Sequence, residues 1–201
     1  MQYAILRDVL IIVISAGAVL AALIGGLMFF ILRTALLKDI TAEVTKHVDR
    51  ECRKLRGQSD MQVGVTYWIA AMYDHAIDVT NRALREAEDV LDESQIIFAK
   101  SNLGYYYAEK HKKKPSWHLK EEAIALTKIG FERYSPTNPD FKKPDWIDNY
   151  VFAKATFVQT KSEREEVTKL IDDLLSRADL EVIHAFLKES KQYVSALILE
   201  S

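Results

Sequence analysis

Apolar and polar residues follow two different patterns along the chain. Residues 9–32 carry no charge, whereas after residue 33 apolar positions recur every three to four residues among charged ones. The second pattern is typical of amphipathic helices, and no window shows the alternation of a β-strand. The pattern predicts an all-α protein in which a single transmembrane helix precedes a stack of further helices.

The uncharged segment 9–32 is long enough to span a bilayer, since about 20 helical residues cross the hydrocarbon core. A cleaved signal peptide is the alternative, because residues 16–18 are small and resemble a cleavage site. The apolar stretch continues through Phe30, however, and this favours an uncleaved anchor. Residues 1–8 then form a short N-terminal flank.

Flanking basic residues predict the orientation of the anchor. Only Arg7 precedes the segment, next to Asp8, whereas the residues that follow it as far as position 56 are rich in Lys and Arg: Arg33, Lys38, Lys46, Arg50, Arg53, Lys54 and Arg56. Cytoplasmic flanks carry the Lys/Arg excess in membrane proteins. We therefore expect a single-pass membrane protein whose C-terminal domain faces the cytoplasm.

Small residues recur every four positions within the anchor, at Gly17, Ala21 and Gly25. This spacing lets two membrane helices approach closely, so the anchor has a candidate packing face for a homo-oligomer. The alternative is that small residues are simply common in membrane helices.

Residues 33–56 predict a juxtamembrane amphipathic helix without Gly or Pro. It could form a coiled-coil stalk or lie as a basic strip on anionic lipid. Acidic residues such as Asp39 and Glu43 dilute the basic charge. A linker helix whose apolar stripe packs on the following domain is therefore the preferred interpretation.

Residues 57–199 predict a helical domain, with breaks at the proline-rich segments 135–139 and 143–144. Three helix pairs and a final helix are expected, at 58–72 with 73–92, 94–112 with 117–134, 145–159 with 162–177, and 179–199. Ser162 followed by Glu165 matches a capping box at the start of the sixth of these helices.

Two stretches of this domain share a pattern of small and aromatic residues. Each has an aliphatic residue and a Gly, then a Tyr three residues after the Gly, and then small residues on the next helix. These are Val63, Gly64, Tyr67, Ala76 and Ala83 in the first stretch, and Leu103, Gly104, Tyr107, Ala123 and Gly130 in the second. The pattern resembles that of tetratricopeptide repeats. The resemblance implies a TPR-like stack of about three antiparallel helix pairs, closed by a C-terminal capping helix.

The resemblance also implies roles for single residues. Gly64, Gly104 and Ala155 would lie where the helices of a pair cross. The sequence departs from the repeat, since Asp60 and Lys100 stand where an aromatic residue is expected and the pairs recur at about 40 to 50 residues instead of 34. An unrelated helical bundle is the alternative.

The same resemblance predicts a protein-binding groove, because the first helix of each pair lines the concave face in such stacks. The groove residues would be Met61, Val65, Trp68, Phe98, Tyr105 and Phe152. Their apolar character suits an amphipathic helix or peptide of a protein partner. The alternative is that these side chains belong to the core.

The one dense basic cluster is Lys110, Lys112, Lys113 and Lys114, followed by Pro115. It could contact anionic lipid or an acidic protein segment. The alternative is a solvated loop between two helices, as such charge runs usually are.

Composition argues against nucleic-acid binding, metal binding and known catalytic motifs. The chain has 27 Lys and Arg against 29 Asp and Glu, so no basic excess indicates a nucleic acid partner. Cys52 is the only cysteine, and the five histidines are scattered, so we expect no metal and no cofactor. No catalytic motif is present.

These patterns predict a membrane-anchored, non-catalytic adaptor that holds a protein partner at the cytoplasmic membrane face. One alternative is a structural subunit of a larger membrane complex, assembled through the transmembrane helix. A second alternative is an enzyme with an unrecognised site.

Overall fold

The computed structural model describes the backbone of residues 2–197 and the side chains of Ser15 and of residues 17–197. Within that range it is all-helical and contains no strand. The α-helices are α1 (Gln2–Ile69), α2 (Tyr73–Val90), α3 (Glu93–Lys113), α4 (Lys120–Arg133), α5 (Pro144–Thr156), α6 (Lys161–Leu175) and α7 (His184–Ala196). Short 3-10 helices occupy Trp117–Leu119 and Ala178–Ile183.

The chain forms two units, Met1–Glu51 and Cys52–Ser201. The first unit consists of helix α1 as far as residue 51, and its described side chains are all exposed. In the described part of the chain, one helical segment, Gly17–Ile69, is long and apolar enough to cross a membrane. Length and composition support this statement, and a signal sequence shares both properties.

The second unit begins with an antiparallel pair made by residues 52–69 of α1 and by α2. Their register is visible in three ion pairs, which follow one another along the two helices in opposite directions. Arg53 contacts Asp89 at 2.6 Å, Arg56 contacts Glu86 at 3.0 Å, and Arg82 contacts Asp60 at 3.5 Å. Residues 52–56, assigned to the juxtamembrane helix from sequence, are thus part of this unit.

Glycines let the first two helix pairs cross closely, as the resemblance to tetratricopeptide repeats implies for Gly64 and Gly104. A Cβ atom added at Gly64 would lie 2.5 Å from the Thr80 hydroxyl, and one at Gly104 would lie 2.5 Å from the Ala123 carbonyl oxygen. Real Cβ atoms essentially never make such contacts. Any larger side chain would therefore push the two helices of a pair apart.

The core of the second unit is largest around α5, α6 and α7. Its members there are almost completely buried, among them Val151, Ile171, Leu180 and Leu187. A separate contact joins the second helix pair to α5, since Gly130 on α4 has the Trp146 side chain directly against its Cα. Trp146 is fully buried.

Several helix ends differ from the sequence expectation: α1 runs without a break through residues 33 and 57, and Trp117–Leu119 is a 3-10 helix ahead of α4. Thr160 caps α6 and forms a capping box with Glu163, so the assignment of this box to Ser162 and Glu165 was two residues too late. The final segment is a 3-10 helix followed by α7, not one α-helix. Its expected end, residues 198–199, lies outside the described residues.

Replacing Gly104 with Ala tests the close crossing. The added methyl group meets backbone and side-chain atoms of α4 at 2.5–2.6 Å. Overpacking costs about 1–3 kcal/mol, against about 1 kcal/mol that Ala gains over Gly in a helix. We expect a net loss of stability of the second unit, measured by circular dichroism during thermal unfolding. Gly17→Ala is the control, since nothing lies within 4 Å of its Cβ position. An unchanged midpoint in Gly104→Ala would contradict the crossing geometry.

Candidate functional site

A cleft of about 320 Å³ lies in the second unit. Helices α1, α3, α5 and α7 all contribute to its wall. We call it the aromatic cleft. Its aromatic lining is Trp68, Tyr105, Phe152, Phe186 and Tyr193, and its charged lining is Glu109, Lys112, Asp148 and Glu189.

The aromatic rings form one connected wall. The Trp68 ring meets the Tyr105 ring edge to face, with centroids 5.6 Å apart, and the Tyr105 and Phe152 centroids are 4.7 Å apart. Tyr105 also donates a hydrogen bond from its hydroxyl to Glu109 Oε1 at 3.1 Å. Burial and the neighbouring Glu109 raise the pKa of Tyr105, so this hydroxyl keeps its proton and remains a donor. Three groove residues expected from sequence thus lie together.

Asp148 gives the cleft an unusual carboxyl group. Burial raises its pKa to about 7, and the negative charges of Asp145 and Glu189 add to the shift. Glu109 and Glu189 also line the cleft, against a single lysine. The wall is therefore apolar in area and negative in charge.

Lys112 is the one cation of this lining. Its Nζ atom lies 4.8 Å from the centroid of the Phe152 ring and 5.4 Å from that of Tyr193. Both distances fall within the range of cation–π attraction. The ring faces can therefore hold an ammonium group.

A second concavity, the polar recess, lies on the same helices. It is lined by side chains of α1, α3 and the start of α5, including Gln62, Gln95, Phe98 and Trp146. Phe98 and Tyr105 are seven residues apart on α3, which places them on one helix face about 10 Å apart. The buried Trp146 Nε1 and Gln95 Oε1 have no hydrogen-bond partner in the described part of the chain.

Two expected groove residues do not line either concavity. Met61 is 4% exposed and packs with Ala83 and Ala99, so it is a core residue. Val65 is half-buried. The rotation of α1 turns Met61 toward Ala83 of α2 and Ala99 of α3 instead of the open face.

The basic cluster is helical and does not form one surface. Lys110, Lys112 and Lys113 belong to the last turn of α3, and Lys114 caps it. Lys110 contacts Asp74 at 2.5 Å, while Lys112 reaches the aromatic cleft. Lys113 and Lys114 are exposed. Successive helical positions diverge by about 100°, which separates charges that are adjacent in sequence.

The structure also places the small residues of the anchor and the candidate polar groups of the cleft. Gly17, Ala21 and Gly25 are exposed on the first unit, and no atom lies within 4 Å of a Cβ position at Gly17 or Gly25. Among the described residues no group of His, Cys, Asp and Glu side chains is arranged to hold a metal ion. Ser190 and Thr156 line the cleft.

Sequence reasoning missed the acidic half of the cleft. Asp148 precedes Phe152 by one helical turn, and this spacing places both on one face of α5. That signal was available for Asp148. No signal was available for Phe186, Glu189 and Tyr193, because nothing local indicates that α7 packs beside α5.

Comparison with known proteins gives no match: no family model matches the chain, no curated protein is similar to it, and no solved structure resembles it. The geometry of the cleft is therefore the basis for any statement about function.

Asp148→Asn tests the electrostatics of the cleft. The pKa of Asp148 is about 7 in the folded protein, above the ordinary aspartate value of about 3.9, so its protonation stabilises the fold at low pH. This stability is fully present below about pH 4 and is lost as the pH rises through about 7. An uncharged Asn avoids that loss.

We expect Asp148→Asn to raise the thermal midpoint at pH 8 by about 2–4 °C, corresponding to roughly 1 kcal/mol, and to have a smaller effect at pH 5. Asp173→Asn is the matched control, because Asp173 is exposed on α6 and lies outside the cleft. An equal shift at both pH values would show that the charge of Asp148 is not what destabilises the fold.

Proposed function

We propose that this protein is a membrane-anchored, non-catalytic adaptor of helical-repeat type that holds a protein partner at the cytoplasmic membrane face. The observation that carries the proposal is the convergence of Trp68, Tyr105 and Phe152 in one cleft, where three different helices each contribute a ring. Large aromatic side chains that remain accessible in a concave surface are typical of partner-binding sites.

The arrangement of the helices supports a repeat-like stack. Two antiparallel pairs cross at glycines, a third pair follows, and α7 packs against both α5 and α6. The first helices of the pairs then share one face, on which the aromatic cleft and the polar recess both lie. Such a face accommodates a helix or an extended segment of a partner.

The membrane anchor is supported by the first unit. Its apolar side chains between residues 19 and 37 are more than half exposed, for example Leu23 at 66% and Phe29 at 68%. A continuous apolar helix of this kind is costly to expose to water, because about 25 cal/mol is lost per Å² of apolar surface. Insertion into a bilayer removes that surface from water.

A structural subunit assembled through the anchor is the second candidate. It is favoured by the open face at Gly17 and Gly25, where a neighbouring helix would meet no obstruction. In that case substitution of both glycines with Leu would disrupt assembly, while changes in the aromatic cleft would have little effect.

Partner capture is tested with the full-length protein purified from crosslinked membranes. A stoichiometric partner should be recovered with the wild type and should be reduced at least about tenfold in Trp68→Ala, since hot-spot aromatics are worth about 2 kcal/mol or more. Trp117→Ala is the matched control, because Trp117 is 46% exposed and lies outside the cleft. Recovery that does not depend on Trp68 would exclude the cleft as the docking site.

The orientation is tested with the single cysteine. Cys52 is exposed, so an aqueous reagent reaches it wherever the second unit resides. An impermeant maleimide applied to intact cells should leave Cys52 unlabelled, and labelling should appear after permeabilisation. Labelling before permeabilisation would place the second unit on the outer side.

A further inference from the structure

We infer that the aromatic cleft binds a lysine or arginine side chain of an amphipathic partner helix, and that Lys112 holds this cation position when no partner is bound. The inference rests on the proposed function and specifies the chemistry of the partner. It follows from three observations: ring faces that already hold an ammonium group, an excess of carboxyl groups, and a lysine that is free to leave.

The ring faces provide the cation position. Lys112 Nζ lies between Phe152 and Tyr193, at 4.8 and 5.4 Å from their centroids. Cation–π attraction becomes stronger where the cation is partly desolvated. The Trp68 ring continues the same wall through its contact with Tyr105, which leaves apolar surface for the neighbouring aliphatic side chains of the guest helix.

The charge of the lining favours a basic guest. Glu109 on α3, Asp148 on α5 and Glu189 on α7 face the cleft together with only one cation, Lys112. Carboxyl groups that gather at a site of low dielectric repel one another, and a cation among them relieves this repulsion. An acidic peptide would add to the repulsion instead.

The Lys112 ammonium group can be displaced from the ring faces by a cation of the partner. Its side chain is exposed, and in the described part of the chain it makes no ion pair. The neighbouring Lys110 is held by Asp74 at 2.5 Å, whereas Lys112 is held by ring faces alone. A long, flexible lysine stem can turn toward water at little cost. We expect a partner-borne cation that also contacts the carboxyl groups of the lining to replace it.

The probes are synthetic amphipathic helices of about five turns with one common Leu face and a polar face of Lys, Gln or Glu. Full-length protein is placed in nanodiscs of zwitterionic lipid, and peptide binding is measured by fluorescence anisotropy. Empty nanodiscs supply the correction for binding to lipid. We expect the Lys peptide to bind at least about tenfold more tightly than the Glu peptide, with the Gln peptide between them.

Single substitutions test the cation position itself. Lys112→Met retains the apolar stem and removes the competing charge, so affinity for the Lys peptide should increase about three- to tenfold. Lys113→Met is the matched control, because it removes the same charge from an exposed neighbour outside the cleft. Asp148→Asn and Glu189→Gln should each weaken binding of the Lys peptide about three- to tenfold.

The outcomes separate this inference from the proposed function. A Trp68-dependent site that prefers the Gln or Glu peptide would overturn the inference and leave the adaptor proposal standing. Equal gains in Lys112→Met and Lys113→Met would overturn the role of Lys112. Absence of Trp68-dependent binding for every peptide would overturn both the inference and the use of the cleft as a docking site.

Discussion

The second unit depends on the close approach of paired helices at two glycines. Gly64 lies against Thr80, and Gly104 against the backbone of Ala123, with no room for a Cβ atom at either site. This approach brings the helices of each pair together along their length, and ion pairs such as Arg53 with Asp89 then follow from the register. The accessible face of α1, α3 and α5 is a consequence of that packing, because the second helices occupy the opposite side.

The aromatic cleft combines two kinds of interaction that stabilise a fold poorly. Rings such as Trp68 remain partly exposed, and the carboxyl of Asp148 is kept in an environment that raises its pKa to about 7. The fold would be more stable if the Trp68 ring were fully buried and if an uncharged side chain stood in place of Asp148. Retaining partly exposed rings beside a destabilised carboxyl is typical of sites that recognise another molecule. Lys112, the one cation of the lining, contacts the Phe152 and Tyr193 rings.

The two units have different surface chemistry. The first, Met1–Glu51, exposes a continuous series of large apolar side chains such as Leu23 and Phe30. The second has a buried apolar core and exposes many charged residues, several of them in ion pairs such as Arg133 with Glu93 at 2.7 Å. Apolar surface is costly to expose to water, whereas charged groups are costly to remove from it. The exposed surfaces of the two units therefore favour different environments.

The sequence by itself determined the helical class and most of the helix positions, because these depend on periodicity within a short segment, and the repeat resemblance indicated the crossing glycines. It also grouped Trp68, Tyr105 and Phe152, whose rings are neighbours in the structure. Tertiary structure alone decided that Met61 lies in the core and that α7 completes the cleft with Glu189. It also decided that Lys110 contacts Asp74 while Lys112 contacts the aromatic cleft. Periodicity defines the faces of each helix but not its rotation against its neighbours, and that rotation is set only when all the helices pack together.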